Sequence, residues 1–188
     1  ENKYYVVNSP VLLSLFNLSD SDDPEIGRFS MAALANVTED PLTHKLLFLR
    51  ENLFYFLVSK ITSANISIKR EASRAISNLL SSEISHQMFL NANGLDAINT
   101  TSGSHDKEYL YSVGLSLHKL SHNFLAHETI LKVGTLHVIL HLAKWTDCVM
   151  VSRQAMSALR KFSSNKDVKV LIAQKGGLQN AIDLLTSD

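Results

Sequence analysis

The sequence predicts an all-α protein built from repeated three-helix units. Three observations predict this fold class: two segments that recur at constant spacing, helical apolar periodicity within them, and glycines at the breaks. The chain has only three prolines and seven glycines, and it shows no sustained alternation of apolar and polar residues. We therefore expect no β-sheet.

One segment recurs four times, as FSMAALANVT, EASRAISNLL, SVGLSLHKLS and QAMSALRKFS, starting at Phe29, Glu71, Ser112 and Gln154. These starts are 42, 41 and 42 residues apart. A second segment starts at Ser9, Glu51, Asn93, Gly134 and Gly176, with offsets of 42, 42, 41 and 42. Two segments that keep one spacing indicate a true repeat. In the first segment the sixth residue is always apolar: Leu34, Ile76, Leu117 and Leu159.

Each unit reads as a short helix, a tight turn, a second helix, a polar loop and a longer third helix. Apolar residues three and four apart, such as Leu53, Phe56 and Leu57, indicate amphipathic helices. Glycine before the second helix predicts a left-handed turn, with Asn52 as a weaker substitute in one unit. Those glycines are Gly94, Gly134, Gly176 and Gly177.

Polar runs separate the second helix of each unit from the third. They are Ser19–Asp23, Thr62–Ser67, Thr100–Lys107 and Trp145–Cys148. Pro24 suits the first turn of a helix, because its missing N–H is not needed there. Within the third run, TTSGSH from Thr100 to His105 follows an unusually short second helix, so we expect a polar loop and a hinge there.

The Gly-Leu before the second helix and the pattern A-x-x-x-L-x-N in the third helix resemble the armadillo repeat family. Ala72, Ile76 and Asn78 match the spacing of the third-helix pattern in full, whereas lysine replaces asparagine at Lys119 and Lys161. Ser30 and Val113 also depart from it, at the alanine position. The resemblance covers essentially the whole chain and implies a right-handed superhelical solenoid of three-helix armadillo-type repeats.

On this interpretation residues 1–188 form one armadillo-repeat domain. A partial repeat occupies 1–23, and repeats follow at about 24–66, 67–107, 108–148 and 149–188. A solenoid buries each repeat against the next and needs polar caps, but both ends here are apolar. We therefore expect a piece of a longer repeat array, or a cap supplied by another segment.

The resemblance implies that the third helices line a concave groove for an extended peptide, with asparagines on the peptide backbone. Helical geometry places the residues six before, two before and two after each central apolar residue on one stripe. The stripe contains six cations and no anion. Its candidate partner-binding residues are Arg28, Asn36, Arg70, Arg74, Asn78, Tyr111, Lys119, Arg153 and Lys161.

A cationic stripe favours an acidic or phosphorylated segment, since Arg pairs bidentately with carboxylate and phosphate. The sequence therefore predicts a non-catalytic protein-interaction scaffold. Two alternatives stay open: a structural spacer within a cytoskeletal or axonemal assembly, and a regulatory domain that binds a small anion or nucleotide. The cations also suit an ordinary solvated face, and the asparagines could instead bridge adjacent helices.

No motif for catalysis, a nucleotide or a cofactor is present. His118 with His122, and His137 with His141, have the i, i+4 spacing of metal ligands, but neither pair lies in an H-E-x-x-H motif. We therefore expect no enzyme, metal site or cofactor. Because no aromatic residue except Tyr111 interleaves with the cations, we also expect no nucleic-acid partner.

Composition sets the remaining bounds. Eighteen basic residues balance eighteen acidic ones, so any charge-driven binding must come from a local patch. The single cysteine, Cys148, excludes an intramolecular disulfide and suits the cytoplasm, with the nucleus or cytoskeleton as alternatives. The longest apolar stretch, Leu53–Val58, is far too short to span a membrane. The sequence does not predict an oligomeric state.

Overall fold

The computed structural model describes residues 2–175, and these residues form α-helices and one 3₁₀ helix without any strand. The chain divides into two compact units, residues 1–94 (the N-terminal unit) and residues 95–188 (the C-terminal unit). No helix within the described residues is long and apolar enough to cross a membrane.

The N-terminal unit contains two complete short, short, long sets of helices and the first helix of a third set. They are α1 (Asn2–Val7), α2 (Val11–Leu18), α3 (Pro24–Thr38), α4 (Pro41–Phe48), α5 (Leu53–Ile61), α6 (Ile66–Leu79) and α7 (Glu83–Asn91). Helix α8 (Gly94–Asn99) begins on the last residue of this unit.

The C-terminal unit continues the same order. A 3₁₀ helix at Thr100–Gly103 precedes α9 (Lys107–Leu120), α10 (Phe124–Val133), α11 (Leu136–Ala143), α12 (Val149–Phe162) and α13 (Lys166–Gln174). The third helices α3, α6, α9 and α12 are the long ones, with 14 or 15 residues. The predicted three-helix unit is therefore confirmed.

The core of each unit lies between its third helices and the second helices behind them. In the N-terminal unit α6 packs along α3, and in the C-terminal unit α12 packs along α9. The central apolar residues predicted from the repeat are all buried, none more than 4% exposed. Burial of each such side chain contributes about 1.5–3 kcal/mol. These residues are Leu34, Ile76, Leu117 and Leu159.

Asp and Asn side chains begin three of the four third helices. Asp23 Oδ1 accepts from the backbone N–H of Glu25, Asn65 Oδ1 accepts from Ser67, and Asp106 Oδ1 accepts from Tyr109. Because Asn65 caps α6, that helix starts at Ile66, inside the run predicted as a loop. Pro24 occupies the first turn of α3, as predicted.

The tight turns differ from the glycine prediction at two of the three places where the structure describes them. Gly134 is left-handed, with φ +76°, as predicted. At the preceding turn the left-handed residue is Asn93, with φ +58°, and not Gly94. Asn52 has φ −93°, so that turn needs no left-handed residue. Gly176 and Gly177 lie outside the described residues.

Gly94 is required for a different reason, which is close packing. A Cβ at this position would lie 2.5 Å from Cδ2 of Phe89 and closer still to two other atoms of that ring. Phe89 is fully buried and packs edge-on against Phe54, with ring centroids 6.2 Å apart. The neighbouring ring, and not the backbone conformation of the turn, therefore explains the glycine at this position.

Candidate functional site

The predicted stripe lies on α3 and α6 in the N-terminal unit and on α9 and α12 in the C-terminal unit. We call its residues within each unit the third-helix surface. Every one of them is at least partly exposed. They are Arg28, Ala32, Asn36, Arg70, Arg74 and Asn78 in the first unit and Tyr111, Leu115, Lys119, Arg153, Ser157 and Lys161 in the second.

Arg74 is the centre of an ion-pair network in the N-terminal unit. Its Nε and Nη2 donate to Oε2 of Glu71 over 2.9 and 2.6 Å, and its Nη1 donates to Glu39. Lys3 Nζ donates to the same Glu39 carboxylate over 3.0 Å. The hydrogen bond from Lys3, with the charges of Lys3 and Arg74, holds the pKa of Glu39 below its usual range. The charge of Arg74 is therefore compensated within the protein.

Arg28 is compensated in a similar way. Its Nε and Nη2 donate to the two oxygens of Glu25 over 3.1 and 2.8 Å. This contact holds the pKa of the Glu25 carboxyl below its usual range. The guanidinium also stacks over the ring of Phe29, 4.0 Å from its centroid. The third cation of this surface, Arg70, is half-buried on α6.

The two asparagines both contribute to contacts between neighbouring third helices. Asn36 Oδ1 accepts from Arg74 Nη2 over 2.9 Å. Asn78 Nδ2 donates to the Ala35 carbonyl over 3.4 Å and to Thr38 Oγ1 over 3.2 Å. These bonds tie α6 to α3, which is the bridging role that the sequence left open. Their predicted role on a peptide backbone stays a prediction.

The third-helix surface of the C-terminal unit has a different electrostatic character. Neither Arg153 nor Lys161 has a carboxylate partner within 4 Å among residues 2–175. The contact of Arg153 is with Met150 Sδ, at 3.9 Å. Lys119 is half-buried, and burial lowers the pKa of its ammonium group. Tyr111 is partly exposed at the first half of α9.

A histidine pair lies beside these cations. The rings of His118 and His122 have centroids 5.6 Å apart, and His118 Nδ1 lies 2.9 Å from Gln154 Oε1. Burial lowers the pKa of His122, and the charges of Lys161, His118 and Arg160 lower it further. His122 is therefore harder to protonate mainly because it is partly desolvated, and the nearby cations add to this effect.

Within residues 2–175, no group of three His, Cys, Asp or Glu side chains is placed to hold a metal ion. Sequence reasoning missed Glu25, Glu39 and Glu71 as partners of the arginines. Two of these were visible as (i, i+3) pairs, Glu25 with Arg28 and Glu71 with Arg74. Glu39 was not, because 35 residues separate it from Arg74 along the chain.

No known protein family and no curated protein matches the sequence. Solved structures match the fold over nearly the whole chain. An engineered protein superposes with a TM-score of 0.87 at 25% identity, over 98% of this chain and 76% of its own. A designed armadillo repeat protein in complex with the peptide (KR)4 superposes with a TM-score of 0.86 at 19% identity, over 98% and 78%.

The chain has an armadillo-repeat fold. A computationally designed armadillo repeat protein for modular peptide recognition also matches, with a TM-score of 0.89 at 17% identity over 98% of this chain and 79% of its own. The prediction of an all-α armadillo-type repeat solenoid is thus confirmed. The third-helix surface of each unit lies on two third helices that pack against each other, α3 with α6 and α9 with α12.

Proposed function

We propose that this armadillo chain is a non-catalytic protein-interaction scaffold that binds an extended acidic or phosphorylated segment, chiefly on the third-helix surface of the C-terminal unit. The observation that carries the proposal is the pair of cations on α12, Arg153 and Lys161, which have no carboxylate partner among the described residues. The designed armadillo proteins named above bind or were designed to recognise peptides. Their fold therefore supports a peptide ligand here.

The two units differ in what an incoming anion must displace. In the N-terminal unit a carboxylate that approaches Arg74 competes with Glu39 and Glu71, which already occupy its donors. In the C-terminal unit an anion that approaches Arg153 or Lys161 displaces only water and salt. Each exposed pair then contributes about 0.2–1 kcal/mol. Useful affinity requires several such contacts along an extended segment, which is how a solenoid surface presents them.

The ligand expected for this chain has the opposite charge to the peptide (KR)4 that the designed protein binds. That peptide is basic, whereas the stripe of this chain carries six cations and no anion. A phosphorylated segment gains further, because a phosphate carries more charge and three acceptor oxygens.

Fluorescence anisotropy tests the proposal with labelled, extended peptides of about ten residues. Four probes share one neutral scaffold and carry glutamate, phosphoserine, glutamine or lysine at alternate positions. We expect binding of the glutamate and phosphoserine probes and none of the glutamine or lysine probes. Affinity should fall steeply between about 50 and about 200 mM salt, because exposed charges are screened.

The decisive variant combines Arg153→Glu with Lys161→Glu. A matched control carries Lys132→Glu and Lys175→Glu, which make the same charge change at exposed positions on α10 and after α13. We expect the first to lose at least about tenfold in affinity and the second to change little. Equal losses in both variants would indicate nonspecific polyanion binding, as would equally tight binding of single-stranded DNA. No binding of any acidic probe would favour the structural-spacer alternative.

A further inference from the structure

A groove on the N-terminal unit lies apart from the third-helix surface. Two adjoining cavities of about 460 and 420 Å³ share Phe16 and Arg50 in their walls. Helix α2 and the turn before it form one wall, and α5 and the turn before it form the other. No residue of α3 or α6 lines either cavity. We call this feature the α2–α5 groove.

The floor of the α2–α5 groove is aromatic and its rim is apolar. Phe16 and Phe56 are half-buried and meet edge-on, with centroids 4.8 Å apart. Leu13 and Leu49 stand at the rim with 63% and 76% of their surface exposed. The exposed leucines and the aromatic floor form one apolar surface, and covering it would release water at about 25 cal/mol per Å².

Charge in the groove is uneven. Arg50 is exposed, lines both cavities and has no carboxylate partner among the described residues. Glu51 lines the first cavity and immediately precedes the N-terminal end of α5, where a negative charge is favoured. Lys60 lies near Phe56 but is paired with Asp20. The groove therefore offers one uncompensated cation, at the junction of the two cavities.

We propose that the α2–α5 groove docks a partner protein segment that inserts a large apolar side chain over Phe16 and Phe56 and places a carboxylate on Arg50. Because the two cavities share Phe16 and Arg50, they form one continuous cleft between α2 and α5, which suits a chain segment. Arg50 supplies bidentate recognition of the carboxylate, and the aromatic floor supplies the anchor pocket. This site is independent of the acidic-segment surface on α9 and α12.

Peptide selection on the intact chain tests the proposal. The probe is a phage-displayed random library with inserts of about twelve residues. It is selected on the wild-type chain and counter-selected on a variant that combines Leu13→Asp with Leu49→Asp. Both leucines are largely exposed, so the variant should retain the helical circular dichroism of the wild type. We expect enriched peptides to carry Leu, Phe or Trp within about four residues of an Asp or Glu.

Synthetic versions of the enriched peptides then distinguish this site from the first. We expect Arg50→Glu to weaken them about tenfold and to favour counterparts in which lysine replaces the acid. Leu42→Asp is the matched control for the leucine-to-aspartate changes, because Leu42 is at least as exposed as Leu13 and Leu49 but lines neither cavity. The double variant Arg153→Glu with Lys161→Glu should leave their affinity unchanged.

Three results would overturn the docking proposal. The first is a selection that enriches no peptide. The second is an enriched set whose binding survives the change of Leu13 and Leu49 to aspartate. The third is a wild-type dimer in light scattering that becomes a monomer in that variant, since the groove would then bind a second copy of this chain.

Discussion

Replacing Gly94 with alanine tests the packing argument for this glycine, the first residue of α8. The added Cβ would lie 2.5 Å or less from three carbons of the Phe89 ring. Carbon atoms in contact normally keep about 3.5–4.0 Å, so the shortfall is at least about 1 Å. Phe89 has no exposed surface and packs against Phe54, so the ring cannot move aside into solvent. Overpacking of this kind costs about 1–3 kcal/mol, and we expect the upper half of that range.

Two other glycines serve as matched controls for the same substitution. A Cβ on Gly103 meets no atom within 4 Å, and Gly103 is not a positive-φ glycine, so Gly103→Ala should change stability by less than about 0.5 kcal/mol. A Cβ on Gly134 also has free space, but its φ of +76° disfavours any side chain. Gly134→Ala should therefore cost about 1 kcal/mol. Gly94→Ala therefore measures steric overlap, Gly134→Ala measures backbone strain, and Gly103→Ala has neither effect.

Urea unfolding followed by far-UV circular dichroism measures these differences as shifts in midpoint. In a background with Phe89→Leu, which lacks two of the three crowded ring carbons, the penalty of Gly94→Ala should fall below about 1 kcal/mol. The reasoning is refuted if Gly94→Ala matches Gly103→Ala, or if its penalty is undiminished in the leucine background.

Three further predictions concern a helix cap, a histidine and an ion pair. Asn65→Ala should lower the free energy of unfolding in urea by about 1 kcal/mol, and Asn52→Ala should lower it less. The reason is that Asn65 accepts cap hydrogen bonds from α6, whereas Asn52 accepts none from α5. Burial and nearby cations depress the pKa of His122 in the folded state, so its contribution to stability is present above pH 6.5 and declines as the pH falls below it. Thermal unfolding between about pH 7.5 and pH 5 should show a weaker acid-side loss in His122→Gln, and an unchanged profile would contradict this. Because Glu39 compensates Arg74, Glu39→Gln should raise affinity for the glutamate probe in anisotropy, and no gain would mean that Arg74 does not reach the ligand.

Much of the fold was predictable because it depends on local and periodic information. The spacing of the recurring segments located the third helices, and the central apolar residues, such as Leu34 and Leu159, are buried as expected. The cap at Asp23 with Pro24 is also a local signal, and α3 begins there. The buried positions and the cap follow from residues within a few positions of one another, where helix geometry fixes the outcome.

The candidate site was predicted less completely. Helical geometry correctly indicated that residues such as Arg74 and Lys161 stay at least partly exposed. It did not show that Glu39 compensates the charge of Arg74, because Glu39 belongs to the preceding repeat, 35 residues away along the chain. The same limit applies to Asn78, whose amide donates to α3. Contacts between repeats depend on how the helices pack.

The sequence by itself determined the repeat, its helical content, the buried central apolar residues and the positive charge of the exposed stripe. The reason is that 3.6-residue periodicity and side-chain polarity decide which face of a helix avoids water. Only the tertiary structure decided that Glu39 pairs with Arg74, why Gly94 is a glycine, and that Phe16 and Phe56 form the floor of a groove. These depend on distances of a few ångströms between residues about 5 to 40 positions apart, and packing sets such distances.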